Sequence, residues 1–170
     1  MTINVLFVYG AGNDTLFGGG LRQMQSKVIA KFKDAIYSPR IIDYTEYETL
    51  VRLLQKWKDP TILVGHSCGC MSITRAAIEL SMERIPYLMA IAPSIFCQVS
   101  PLAVNVGRAT QVTSNVFDMF NPGGRQLLSL NKSNNKTKLD VMKSGLPHIQ
   151  APYYVPAQDR LLLECLKALG

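Results

Sequence analysis

No apolar run in this chain reaches the roughly 18 residues that a membrane-crossing helix requires, so no membrane span is expected. The opening Met1-Thr2-Ile3-Asn4 leads directly into an apolar segment, without the basic stretch and hydrophobic core of a secretion signal, and the expected compartment is the cytoplasm. Cysteine is sparse. Cys68, Cys70, Cys97 and Cys165 contain no Cys-x-x-Cys pair and fall short of a disulfide scaffold, so reduced, mostly buried thiols are expected, with no metal site. No Gly-Lys-Ser or Gly-Lys-Thr closes a phosphate loop. Charge of one sign is not concentrated either. Eighteen Lys and Arg against twelve Asp and Glu give a net +6. They are spread along helix faces, which reads as a solvated surface, and no nucleic-acid partner is expected. Histidine is the scarcest reactive side chain, with only His66 and His148. An imidazole general base must be one of these two.

What remains is a globular composition, 48% hydrophobic and 18% charged over 170 residues. That is the size of one domain, 1–170, with a sizeable core. Ile3 to Tyr9 is a nearly continuous apolar run, the pattern of a parallel strand covered on both faces. A loop signal follows, and then a helix with Leu21, Met24, Val28, Ile29 and Phe32 on one face. A second strand at about Arg40 to Tyr44 precedes a helix that a Thr45-x-x-Glu48 capping box would open. Thr61 to Val64 is the third strand, Cys68 to Glu83 a helix, and Tyr87 to Ala92 the fourth strand. After an irregular connection, further strands are expected at about Val112 to Phe117 and Leu139 to Met142; Leu127 to Leu130 fits strand or short helix. The last helix runs from about Ala157 to Leu169. Strands alternating with helices predict an α/β, three-layer sandwich around a mainly parallel sheet of five to six strands, whose order begins 2-1-3.

The chemistry centres on Gly65-His66-Ser67-Cys68-Gly69, which falls where a strand turns into a helix. A nucleophile elbow needs this pattern: the tight turn lifts the serine hydroxyl above the sheet, and the two glycines remove side chains that would collide. Ser67 needs a base within hydrogen-bond reach, because its hydroxyl stays protonated near neutral pH. His66 lies inside the elbow and is read as a packed residue. His148 sits in a loop after the last expected strand, on the sheet edge where ligands bind in parallel α/β proteins, and is the candidate base. A carboxylate should orient it. Asp118 is best placed, between serine and histidine in the chain; Asp140 lies within a strand, and Asp159 suits the first turn of the last helix. The oxyanion would be held by backbone amides, from Cys68 and from Ala11 or Gly12. Gly10-x-Gly12 also begins a dinucleotide fingerprint, but Thr15 stands where its third glycine belongs, so no cofactor is expected.

Tyr9-Gly10-Ala11-Gly12, the Gly65 to Gly69 elbow and Pro147-His148, in that order, resemble the α/β-hydrolase superfamily, in particular its small capless esterase or lipase-like members. The resemblance implies a minimal α/β-hydrolase fold, a Ser67, Asp118, His148 triad, an oxyanion loop after the first strand, and neither cofactor nor metal. The chain departs from the superfamily in lacking its usual antiparallel amino-terminal strands and in having Tyr9 where a His is common. If the family's acid belongs in the turn Asn121-Pro122-Gly123-Gly124, an amide, Asn121, replaces it. The expected function is a serine hydrolase acting on a small ester or thioester. The alternative is a hydrolase-fold binding or scaffolding protein with an incomplete triad. The sequence leaves the oligomeric state open.

Overall fold

A computed structural model of the chain describes residues 2–11, 19–33, 35, 40–80, 85–115, 117–131, 134 and 136–170. Six strands form one sheet: β1 (Asn4–Tyr9), β2 (Arg40–Asp43), β3 (Thr61–His66), β4 (Ile85–Ile91), β5 (Val106–Thr113) and β6 (Lys138–Lys143), in the order β2-β1-β3-β4-β5-β6. Every neighbouring pair is parallel. Order reverses on either side of β1, so β3 lies inside the sheet and its carboxyl end opens at a topological switch, where crossovers leave a crevice.

The helices are α1 (Gly19–Phe32), α2 (Tyr47–Lys56), α3 (Gly69–Glu79) and α4 (Val155–Leu169), with a 3-10 helix over His148–Tyr153. Alternate residues of the central strands feed two separate cores. Leu6, Val8, Leu63, Leu88 and Ala90 pack with Leu50 and Leu54 of α2 and Ile73, Ala76 and Ala77 of α3. Val5, Phe7, Ile62, Val64 and Met89 pack with Leu21, Met24 and Val28 of α1 and Leu161 and Cys165 of α4. A strand buried on both faces must be apolar at every position, which is why β1 and β3 read as continuous runs. Among the described residues, no helix is long and apolar enough to cross a membrane.

Four local readings change. The Thr45-x-x-Glu48 box does not form: α2 begins at Tyr47 without a side-chain cap, and Thr45 donates through its amide and Oγ1 to Asp43 Oδ1 instead. β4 starts at Ile85 and includes Pro86, which lacks an N–H. The strand tolerates it because pairing with β3 begins only at Leu88. β5 starts at Val106, earlier than the sequence suggested; Gly107, Arg108 and Gln111 disguise it. Gln111 is fully buried, and its Oε1 accepts the amides of Leu127 and Leu128 while its Nε2 donates to the Arg125 carbonyl. That side chain serves segment 125–128 as a strand would, so Leu127 to Leu130 is neither strand nor helix and makes only one bridge, Leu102 to Leu130.

Candidate active site

The segments that follow β1, β3, β5 and β6 bring the candidate residues to one place. Ser67 follows β3 directly and has φ 54°, the left-handed region that a serine adopts only when its surroundings enforce it. Close backbone contact is that enforcement. A Cβ on Gly69 would lie 2.1 Å from the carbonyl oxygen of Val8, and one on Gly65 would lie 2.8 Å from Ile73 Cδ1 and 2.9 Å from the Cys70 nitrogen. Gly10 has the same function from the first loop, since its added Cβ would sit 2.6 Å from Ser67 Cβ and 2.7 Å from the Cys68 nitrogen. Gly10 therefore lies against the elbow, and Ala11 faces the same cavity as Ser67 and Cys68. Gly12, the other oxyanion candidate, lies outside the described residues.

His148 opens the 3-10 helix after Pro147 and is buried. Its Nδ1 is 2.7 Å from Asp118 Oδ2. The carboxylate accepts, so Nδ1 carries the proton and Nε2 keeps its lone pair. Nε2 is buried with no partner, in a residue that lines the cavity beside Ser67. Asp118 is held in turn by Ser114 Oγ, which donates to Oδ2, and by the amide of Phe120, which donates to Oδ1 at 2.8 Å. Burial alone would raise the Asp118 pKa; the hydrogen bonds from Ser114, His148 and Phe120 outweigh it and hold the carboxyl below its ordinary value. The other acid candidates are engaged elsewhere. Asp140 pairs with Arg160 near the surface, Asp159 is exposed, and Asn121 closes its turn through both ends of its amide, to the nitrogen and carbonyl of Arg125.

His66 is buried, and its Nε2 lies 3.0 Å from the backbone carbonyl of His148. Burial first, and the neighbouring His148 second, lower its pKa to about 4. Ser114 and Phe120 are contributors that the sequence did not disclose. Ser114 stands four residues before Asp118, and Phe120 packs its ring 4.6 Å from that of His148.

The expectation of reduced thiols is corrected at two positions. Cys68 and Cys97 form a disulfide, with Cα atoms 5.2 Å apart, whereas Cys70 and Cys165 are free and buried. The bond ties the residue after Ser67 to the loop that follows β4. Spacing could not reveal it, because the cysteines are 29 residues apart and meet only through the β3 to β4 crossover.

No model of a known protein family matches the chain, and no curated protein matches it in sequence. Solved structures do match along almost its whole length. The ydeN gene product from B. subtilis is 16% identical at TM-score 0.65, covering 96% of this chain and 98% of that one. Est1E from Butyrivibrio proteoclasticus is 11% identical at TM-score 0.64, covering 98% and 89%. Alpha/beta hydrolase domain-containing protein 10 from mouse is 13% identical at TM-score 0.60, covering 96% and 90%. The chain has the α/β-hydrolase fold.

In this α/β-hydrolase fold, the elbow and the His148 loop enclose a cavity of about 310 Å³. Phe96, Phe120, Ile149 and Ala11 give it apolar walls, and Ser94, Ser67, His66 and His148 contribute its polar groups. Phe96 stands on the loop held by the disulfide and meets Phe120 edge to face, with ring centres 6.4 Å apart. The cavity thus sets apolar walls beside the Ser67 and Ser94 hydroxyls and the unpartnered His148 Nε2.

Proposed function

We propose that the protein is a serine hydrolase that cleaves a small ester or thioester through an acyl-enzyme, with Ser67 as nucleophile, His148 as general base and acid, and Asp118 as the orienting carboxylate. The observation that carries this reading is the Nδ1 to Asp118 bond of His148 combined with its buried, unpartnered Nε2 beside the cavity shared with Ser67. A buried lone pair without a donor costs free energy unless something uses it.

Ser67 Oγ attacks the carbonyl carbon while His148 Nε2 removes its proton, and Asp118 stabilises the resulting imidazolium without taking the proton itself. The amides of Cys68 and of Ala11 or Gly12 hold the tetrahedral oxyanion. Collapse expels the alcohol or thiol, which takes the proton back from Nε2. Water activated by the same nitrogen then hydrolyses the acyl-enzyme. No cofactor or metal enters these steps. His148 Nε2 makes no hydrogen bond within the protein, which leaves it free to take the Ser67 proton.

A fluorophosphonate probe tests the reading. Labelling that disappears in Ser67→Ala supports it; a folded wild-type protein that does not react favours the scaffold reading instead.

A further inference from the structure

We infer that His66, which the elbow pattern suggests is mere packing, is a positioning residue that holds the base His148 through its backbone. This rests on the hydrolase reading above and extends it to a side chain with no direct part in the chemistry. The geometry is specific. His66 Nε2 lies 3.0 Å from the carbonyl oxygen of His148 itself, across 82 residues of sequence, and the bond is buried. A carbonyl only accepts, so His66 must carry its proton on Nε2. His148 carries its proton on the other nitrogen, Nδ1, because there it faces the Asp118 carboxylate. The two histidines thus hold opposite tautomers, with ring centres 5.2 Å apart.

The Asp118 bond alone leaves the His148 ring free to swing about its anchored nitrogen. A second anchor at the His148 carbonyl fixes the other end of the residue, and Phe120 lies 4.6 Å from the ring. His66 also directly precedes Ser67 and ends β3. The bond therefore connects the base to the strand that carries the nucleophile, so that a displacement of the elbow carries the base with it. A misplacement of about 1 Å at a reacting group is enough to reduce a rate about 100-fold. The groups facing His66 permit a neutral ring only: His148, which becomes cationic during turnover, is adjacent, and the Asp118 charge is already engaged by His148, Ser114 and Phe120.

Histidine-selective ¹⁵N labelling reads the contact directly, since the chain has two histidines and His148→Ala assigns them. The expected spectrum near pH 7.5 is Nε2–H for His66 and Nδ1–H for His148. A His66 protonated on Nδ1 overturns the inference. Kinetics on wild type, His66→Leu and His66→Gln then test its effect, using p-nitrophenyl acetate. Loss of the bond should lower kcat about 10- to 100-fold with KM changed less than about threefold, and Gln, which can donate from a similar point, should restore most of it. Equal kcat in wild type and Leu variant, or equal impairment in Leu and Gln variants of unchanged melting temperature, overturns the positioning role. The two failures are separable: a wild type that the fluorophosphonate probe does not label refutes the hydrolase reading, whereas a labelled wild type with an unimpaired Leu variant refutes only this one.

Discussion

The two halves of the candidate site are held by different physical means. The nucleophile half, β3 to α3, is fixed by backbone packing: Gly10, Gly65 and Gly69 let three segments touch, and Ser67 is forced to φ 54° by that contact. The acid-base half, on the loops after β5 and β6, is held by side-chain hydrogen bonds among Ser114, Asp118, His148 and His66. Steric contact between backbones admits almost no substitution, because main-chain atoms cannot move aside. Hydrogen-bonded loops tolerate replacement without unfolding and lose alignment instead. Mutations in the first half should therefore appear in stability, and mutations in the second in rate.

The sharpest separation should come from the acid-base half. His148→Ala should reduce kcat about 10⁴-fold, while the melting temperature falls by far less than a core truncation would cause, because the buried His148 ring packs against Phe120 and His66 and lies outside both apolar cores. Asp118→Asn should follow closely, since an amide supplies neither the charge nor the tautomer control. Asn121→Ala and Asp140→Asn should retain near-normal rates at matched folded fractions. A collapse in either, with Asp118→Asn active, transfers the acid to that position.

Gly69→Ala should have the next largest effect, and in the opposite quantity. The new Cβ would meet the Val8 carbonyl at 2.1 Å, so β1 or α3 must shift. A cost of about 3–4 kcal/mol, or failure to fold, is expected. A urea titration measures it. A Gly69→Ala protein as stable as wild type would remove the distinction between the halves.

Acid stability gives a third test. His66 has a folded pKa of about 4 against an ordinary 6.5. Its neutral, buried state stabilises the fold fully above about pH 6.5. As pH falls from 6.5 towards 4 the unfolded chain takes up a proton that the folded one does not, and about 3 kcal/mol is lost. The depressed carboxyl of Asp118 acts in a lower window: its contribution is present above the ordinary value of 3.8 and disappears as pH falls through its folded pKa. Chemical denaturation at stepped pH should therefore show a slope between pH 6.5 and 4 that His66→Leu flattens. An unchanged slope would mean that His66 is not a neutral buried group.

The smallest effect belongs to the cavity between the halves. Its modest volume leaves little room for added acyl carbons, and each methylene that is buried contributes only about 0.8 kcal/mol. Across p-nitrophenyl esters of about two to six acyl carbons, kcat/KM should be at least as high as for longer chains. A steep rise with length would reveal a deeper acyl channel behind Phe96 and Phe120.

The strands buried on both faces, the elbow and the order of elements were legible because each is written in consecutive residues. A continuous apolar run specifies β1 or β3, and Gly-x-Ser-x-Gly between a strand and a helix leaves few alternatives. With two histidines in the chain, elimination pointed to His148. Tertiary structure decided the rest. Asp118 and Asn121 are three residues apart in one loop, and only its course shows that the carboxylate reaches His148 while the amide closes the turn at Arg125. β5 was misread because Gln111 looks like loop composition until the backbone that it serves, residues 125–128, is folded over it. The Cys68–Cys97 bond and the His66 contact with the His148 carbonyl span 29 and 82 residues. Periodicity and local propensity report what neighbours along the chain prefer, whereas such pairs exist only because a crossover or a loop returns the chain to the same sheet edge.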